Sequence, residues 1–274
     1  MFLTNEEFIN LTDFVKVNYG IDLKNKKSFV EIRTHRLIEE HGAKNFTDYF
    51  NDICMDVTGL QITAFINALT VNHTLFNRES GHFEYMTKTI LPYLYEKNGS
   101  RKDIRIWSAG CSTGEEPYTL AMTIADFLSM RSAGWDTKIL ATDISTFALQ
   151  KAAEGCYPYV NIENLPPHWI NRYFIKDIND VDTIHIHPSI KNEVIFRKLN
   201  LIGEQTKFKK NFDVIFCRNV MIYFDEPTKN ALINKYYDSL NDGGYLFIGM
   251  TENIDKGASN FNYIMPSVYR KDAV

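Results

Sequence analysis

Three short runs in this chain place polar side chains where an apolar stretch ends. The first is Ser108-Ala109-Gly110-Cys111-Ser112-Thr113-Gly114-Glu115-Glu116-Pro117-Tyr118, which follows Ile104-Arg105-Ile106-Trp107. Small residues in such a turn let a ligand approach the backbone closely, and Pro117 suits the first turn of the helix that must follow. The acidic pair discriminates among ligands. Bare N–H groups at a helix N-terminus attract a pyrophosphate. Carboxylates at that place repel it and suit a ligand carrying ammonium or sulfonium charge. A plainer reading has Glu115 and Glu116 merely complementing the helix dipole. The second run, KILATDIS, ends in Asp143. A carboxylate at the end of a second parallel strand can accept both ribose hydroxyls of an adenosine, or can simply cap the next helix. Asp143 lies further from Gly114 than the ~20 residues usual in dinucleotide folds, which a longer first helix explains. The third run, FDVIFCRNVMIYFDEPTK, sets Arg218 and Asn219 at the end of an almost wholly apolar strand, with Tyr223 in the turn beyond.

These positions make sense only if strands deliver them to one edge. From about residue 100, IRIWSA, KILATD, VIFRKLN, DVIFC and GYLFIGM alternate with helical stretches or long connections. That alternation predicts a parallel sheet wrapped by helices, with ligands bound just outside the carboxyl ends of its strands. NYIMPSVYRK has two extended halves around Pro266 and predicts an antiparallel edge. Between Gly155 and Asn192 the alternation lapses, Pro158, Pro166, Pro167 and Pro188 puncture the stretch, and DTIHIHP reads as a short strand; this predicts an inserted subdomain over about 156–192.

Before residue 100 the pattern is helical. Thr4 and Glu7 have the spacing of a capping box ahead of Phe8, Leu11, Phe14 and Val15. The next helix places Phe29, Ile32, Arg33 and Arg36 at helical intervals and ends at Gly42. NFTDYFNDI, LQITAFINAL and HFEYMTKTILPYLYEK continue the series. The expected division is a helical domain over 1–75, a linker and bridging helix over 76–100, and an α/β domain over 101–274.

Composition narrows the function. At 45% hydrophobic and 23% charged, the 274-residue chain is globular, and a formal charge of −4 argues against broad nucleic-acid binding. No apolar run reaches the roughly 18 residues of a membrane helix, and MFLTNEEFIN lacks the pattern of a secretory signal. Cys54, Cys111, Cys156 and Cys217 have no Cys-x-x-Cys spacing, so free thiols in a reducing cytosol are expected rather than zinc or disulfides. His185 and His187 are expected to alternate on one strand face, without a carboxylate or cysteine at ligand spacing, so no metal is expected.

The combination of TVNHTLFNRE (70–79), SAGCSTGEEPYTLAM (108–122), ATDIS (141–145), FDVIFCRNVMIYFD (212–225) and GGYLFIGMTENI (243–254) resembles the chemotaxis-receptor methyltransferases, the CheR family. The resemblance spans nearly the whole chain, including YGIDL (19–23) and the inserted stretch ending in RYF (172–174). It implies an α/β Rossmann-like S-adenosylmethionine-dependent methyltransferase sheet with a small all-helical N-terminal domain and an inserted β subdomain. It implies methyl transfer from S-adenosylmethionine to glutamate side chains on the cytoplasmic helical domain of chemoreceptors, with S-adenosylhomocysteine as by-product. By similarity, Asn72, Thr74, Arg78, Glu116, Asp143, Asn200, Leu201, Arg218 and Asn219 bind the cofactor, while Arg78 and Tyr223 serve catalysis. The family pattern also turns the helix bearing Lys24, Lys26, Lys27, Arg33 and Arg36 toward acidic receptor helices, where complementary charge steers the encounter. A cytoplasmic monomer without nucleic-acid or inserted-membrane contacts is the expectation. Leu75 and Asn77 depart from common family forms.

The chemistry accounts for the sparse machinery. A glutamate has an unperturbed pKa near 4.3, so the nucleophile is already ionised at neutral pH and needs no general base. A sulfonium is a good leaving group, so alignment of oxygen, methyl and sulfur is the main task. Two other classes compete: a methyltransferase for a small molecule or nucleic acid, which finds no Asn-Pro-Pro-Tyr-type run here, and a non-catalytic cofactor-binding scaffold, which predicts decay at Arg78, Tyr223 or the acids.

Overall fold

The computed structural model of the chain describes residues 3–70, 73–203, 208–255, 257 and 259–272. Helix α1 (Asn5–Tyr19) starts at a complete capping box: Thr4 Oγ1 accepts from the Glu7 N–H, and Glu7 accepts from the Thr4 N–H. α2 (Lys27–His41) ends at Gly42, and α3 (Phe46–Met55) and α4 (Leu60–Leu69) complete the helical unit. Its core gathers Leu11, Val15, Ile21, Val30, Ile38, Ile53, Phe65 and Leu69. Each such large apolar side chain contributes about 1.5–3 kcal/mol when fully buried. On α2 the buried stripe is Val30, Thr34 and Ile38, one residue on from Phe29 and Arg33, and Ile32 is 76% exposed. The stripe carrying Ile32, Arg33 and Arg36 therefore faces solvent, because Val30 and Ile38 offer the better match to the core.

The expected bridging helix runs from Gly81 to Lys97 and widens in its middle. α5 (Gly81–Tyr85) and α6 (Leu91–Lys97) are joined by a wide π turn over Met86–Ile90. Pro92 has no N–H and its ring crowds the preceding turn, and a widened turn absorbs both defects without ending the helix.

The remaining elements are β1 (Ile106–Ala109), α7 (Glu115–Leu128), β2 (Ile139–Asp143), α8 (Thr146–Glu154), β3 (Cys156–Pro158), α9 (Pro167–Tyr173), β4 (Phe174–Lys176), β5 (Thr183–Ile186), α10 (Pro188–Lys191), β6 (Val194–Lys198), β7 (Phe212–Cys217), α11 (Glu226–Ser239), β8 (Leu240–Ile248), β9 (Asn262–Met265) and β10 (Val268–Arg270). The main sheet runs β6-β2-β1-β7-β8-β10-β9. β6, β2, β1, β7 and β8 pair in parallel, and the two halves around Pro266 add the antiparallel edge. β1 and β7 are buried along their whole length, as strands covered on both faces must be. On one face Phe83 stacks on Phe216, which stacks on Phe247 with ring centroids 4.3 Å apart. On the other, Trp107 meets Tyr236 of α11.

The stretch expected as an insertion folds as a separate three-stranded sheet, β3-β5-β4. Two expectations within it change. His187 lies beyond the end of β5 and caps α10 through Ser189, so it does not share a strand face with His185. His185 Nε2 lies 2.8 Å from Asp177 Oδ2, a carboxylate that the hairpin folds back beside it. Among the described residues no group of three or more His, Cys, Asp or Glu side chains is placed to hold a metal, and no helix is long and apolar enough to cross a membrane.

Candidate active site

Strand order reverses at β1, whose neighbours β2 and β7 leave in opposite directions; such a switch point opens a crevice at the carboxyl ends. A cavity of about 310 Å³ occupies it. Thr74, Arg78, Glu116, Asp143, Asn200, Leu201, Arg218, Asn219 and Tyr223 all line this cavity. Asn72 lies outside the described residues.

The floor is the turn after β1. Gly110 and Cys111 both donate to the Thr142 carbonyl, at 2.8 and 2.9 Å, which pins the turn against the end of β2. Gly110 holds φ +84°, and a Cβ there would stand 2.4 Å from Val220 Cγ2. Only glycine lets the turn close over the β7 end. Asp143 ties the two sides together: Oδ2 accepts from the Ser112 N–H at 2.8 Å and Oδ1 from the Ser145 N–H at 2.9 Å. Asp143 does not itself cap α8, whose N-cap is Ser145 with its side chain accepting from the Ala148 N–H; Asp143 orders the loop before that helix and lines the cavity. Burial pushes the Asp143 carboxyl up, against the N–H groups of Ser145 and Ser112 that hold it down.

The acidic pair at the start of α7 separates. Glu116 lines the cavity, accepts from Ser108 Oγ at 2.7 Å and pairs with Arg218 Nη1 at 3.1 Å. Burial pushes its carboxyl up, opposed by Arg218 and Ser108. Glu115 is buried away from the cavity and accepts from Thr113 Oγ1 at 2.7 Å. Consecutive helical residues point about 100° apart, so the two neighbours cannot both face one ligand. Of the acidic pair only Glu116 faces the cavity, whose other carboxylate is Asp143 at the end of β2.

Arg218 leaves the end of β7 with its side chain 2% exposed. Asn219, next along, takes φ +59°, and its N–H donates to Glu252 Oε2 at 3.0 Å. Glu252 also accepts from the Gly249 N–H, so it fixes the turn that carries Met221–Tyr223. Arg78 is more exposed, and its Nη1 donates to the His73 carbonyl at 3.1 Å. Asn77 and Glu79 on either side have positive φ, so Arg78 sits in a tightly folded loop.

Sequence reasoning missed the cavity's other wall, Tyr19, Ile21, Ile66 and Thr70 of the helical unit, together with His73 of the loop. Gly20 is left-handed at φ +72°, and a Cβ there would press on Ile202 at 2.7 Å. The chain then crosses to the sheet domain: Ile21 bridges Phe224, the Asp22 N–H donates to the Tyr223 carbonyl, and Lys16 pairs with Asp225 at 2.7 Å. Asn200 Nδ2 reaches the Asn18 carbonyl at 2.7 Å. The only sequence signal for this wall was YGIDL, a turn motif without obvious chemistry.

A mostly parallel sheet with a Gly-bearing first turn, an acid ending its second strand and a largely apolar cavity at the switch point is the arrangement in which α/β proteins hold a nucleoside. Residues 72–269 match the CheR methyltransferase, SAM binding domain, and residues 6–70 match the CheR methyltransferase, all-alpha domain. The chain is 44% identical over 273 residues to a chemotaxis protein methyltransferase of Borreliella burgdorferi, spanning 98% of this chain and 95% of that protein. It is 34% identical over 269 residues to the Escherichia coli chemotaxis protein methyltransferase, spanning 97% and 91%. The chain belongs to the CheR family and is an S-adenosylmethionine-dependent methyltransferase.

The residues present fit that cofactor. Two buried carboxylates, Asp143 and Glu116, face an otherwise largely apolar cavity and favour a ligand offering hydroxyl donors and positive charge.

Proposed function

We propose that this enzyme methylates glutamate side-chain carboxylates on the cytoplasmic helical domain of chemoreceptors, forming methyl esters, and that it works in the cytoplasm on that partner. The observation that carries the reading is the convergence of Asp143, Glu116, Arg218 and Asn219 on one cavity whose rim holds Arg78 and Tyr223. Receptor glutamate is the substrate class that the family resemblance implies and that needs no general base. S-adenosylmethionine, when bound, supplies an electrophilic methyl group on a sulfonium.

The chain's own residues do the rest. Asp143 accepts from the ribose hydroxyls, in keeping with its place at the end of β2. Glu116 draws positive charge to the β1 end of the cavity. Asn200, Leu201, Asn219 and Thr74, with Asn72 as the family resemblance implies, fix the adenosyl group's orientation. Arg78 positions the incoming carboxylate, and its partly solvated guanidinium avoids the tight ion pair that would damp a nucleophile. Tyr223 donates one hydrogen bond to that carboxylate without adding charge. Residues 1–75 form the receptor-facing domain, 76–100 the linker and 101–274 the catalytic domain in this reading. Lys24 and Lys26, just before α2, and Arg33 and Arg36 on it are all exposed, and Arg36 pairs with Glu40 at 2.6 Å.

Incubation with methyl-labelled S-adenosylmethionine and chemoreceptor-bearing membranes tests the proposal. Base-labile label on the receptor is the expected product. Label on a small molecule or nucleic acid, or binding without turnover, would overturn it.

A further inference from the structure

A guanidinium that is 2% exposed must place its N–H groups on protein acceptors or lose several kcal/mol of solvation. Arg218 does so asymmetrically. Nη1 reaches Glu116 Oε2 at 3.1 Å, whereas Nε and Nη2 both reach Glu79 Oε2, at 3.3 and 3.0 Å. Nη2 also donates to the backbone carbonyl of Arg78. Glu79 lies behind the cavity and does not line it. Its second oxygen accepts from the Met250 N–H at 3.4 Å, and His82 Nδ1 lies 3.5 Å from the first. Burial pushes the Glu79 carboxyl up, but Arg218 and the Met250 N–H outweigh it, and the net displacement is downward, so Glu79 is a carboxylate.

The geometry points to Glu79 as a positioning residue that divides Arg218 between the cofactor wall and the Arg78 loop. This rests on the cavity's being the S-adenosylmethionine site. With Glu79 charged, the guanidinium is anchored to two carboxylates, and Glu116 keeps part of its negative potential for the ligand. With that charge removed, Glu116 is the guanidinium's sole remaining carboxylate partner among the described residues. Arg218 then leans on it, its charge is more fully cancelled, and the carbonyl tether to Arg78 slackens. Charge-assisted bonds of this kind set ligand affinity through an intermediary, as buried outer partners do at metal sites.

The test is calorimetric titration of S-adenosylmethionine and S-adenosylhomocysteine into wild type, Glu79→Gln, Arg218→Lys and the double variant, with melting temperatures alongside. Glu79→Gln is expected to bind both compounds about tenfold more weakly, the scale of one hydrogen bond to a charged group. Lysine lacks the planar five-donor fork with which Arg218 spans the two acids. In the Arg218→Lys background, removing the Glu79 charge should therefore cost little more, a non-additivity that general loosening of the fold would not produce. Wild-type affinity in Glu79→Gln, or losses that add in full, would overturn the proposal. Should Glu79→Gln prove too unstable to purify, Glu79→Asp, which withdraws the charge by one methylene, is read in the same way. If wild type itself binds neither compound, the site reading falls instead, so the two failures are distinct.

Discussion

The backbone N–H of Asp22 donates to the carbonyl of Tyr223 at 2.8 Å, joining the helical unit to the turn that bears a candidate catalytic side chain. Ile21 extends the contact as an antiparallel bridge to Phe224, and Lys16 closes it on Asp225, the N-cap of α11. The Asp225 carboxyl is held down to about 2, chiefly by its hydrogen bond from Lys16 and then by Thr228. The first unit therefore does more than offer a basic face. It fixes the Tyr223 turn from one side while Glu252 fixes it from the other.

Asp143→Ala removes the acceptor for Ser112 and Ser145 and the hydroxyl acceptor of the cavity. Binding of S-adenosylhomocysteine should weaken at least tenfold by calorimetry, given about 1.5–3 kcal/mol for hydrogen bonds to a charged group. Unchanged affinity would place the ribose elsewhere.

Tyr223→Phe keeps the packed ring and removes only the hydroxyl. Turnover on receptor should fall about tenfold to a hundredfold with cofactor affinity held within twofold, since the lost bond is made to the arriving carboxylate. A weakened cofactor affinity with normal turnover would reverse the assignment.

Gly110→Ala combines a left-handed backbone with a Cβ 2.4 Å from Val220. Strain and overpacking together should cost about 2–4 kcal/mol in urea unfolding. The companion Val220→Ala should recover the steric part alone. Full recovery would show that φ carries no penalty there.

His82 supplies a pH signature. Its ring is buried without a hydrogen-bond partner for either nitrogen, and burial first, then Arg218, lowers its pKa to about 4. The unfolded chain takes up this proton near 6.5 and the folded protein only near 4, so the folded state loses stability as pH falls between those values. Between pH 7.5 and 5 the loss from this group should be about 2 kcal/mol. His82→Phe should flatten that part of the stability curve, and an unchanged slope would assign it to other groups.

Much of the site was legible because each strand end carries its own signal. An apolar run that stops at Asp143, or at Arg218 and Asn219, already states where a parallel sheet presents them. The inserted sheet and the antiparallel edge were legible from the punctuation by Pro158, Pro188 and Pro266. What escaped were relationships set only by packing. Nothing local tells that Glu115 turns from the cavity while Glu116 faces it, or that Glu79 answers Arg218 across 139 residues. The solvent-facing stripe of α2 misled because Ile32 has the right spacing, yet Val30 and Ile38 fit the core better. The π turn before Pro92 was likewise hidden, since an apolar helical period continues through it.

The cavity draws one wall from Tyr19 and another from Phe224, so it spans most of the chain's length. During synthesis at about 5–20 residues per second, the early wall waits on the order of ten to forty seconds for its counterpart to leave the ribosome. The four leading helices can collapse on their own core in that interval, but Ile21 has no Phe224 to bridge. A ligand thus gives no help to the nascent protein until Phe224 has emerged, and shortened products ending before that residue lack the second wall of the pocket.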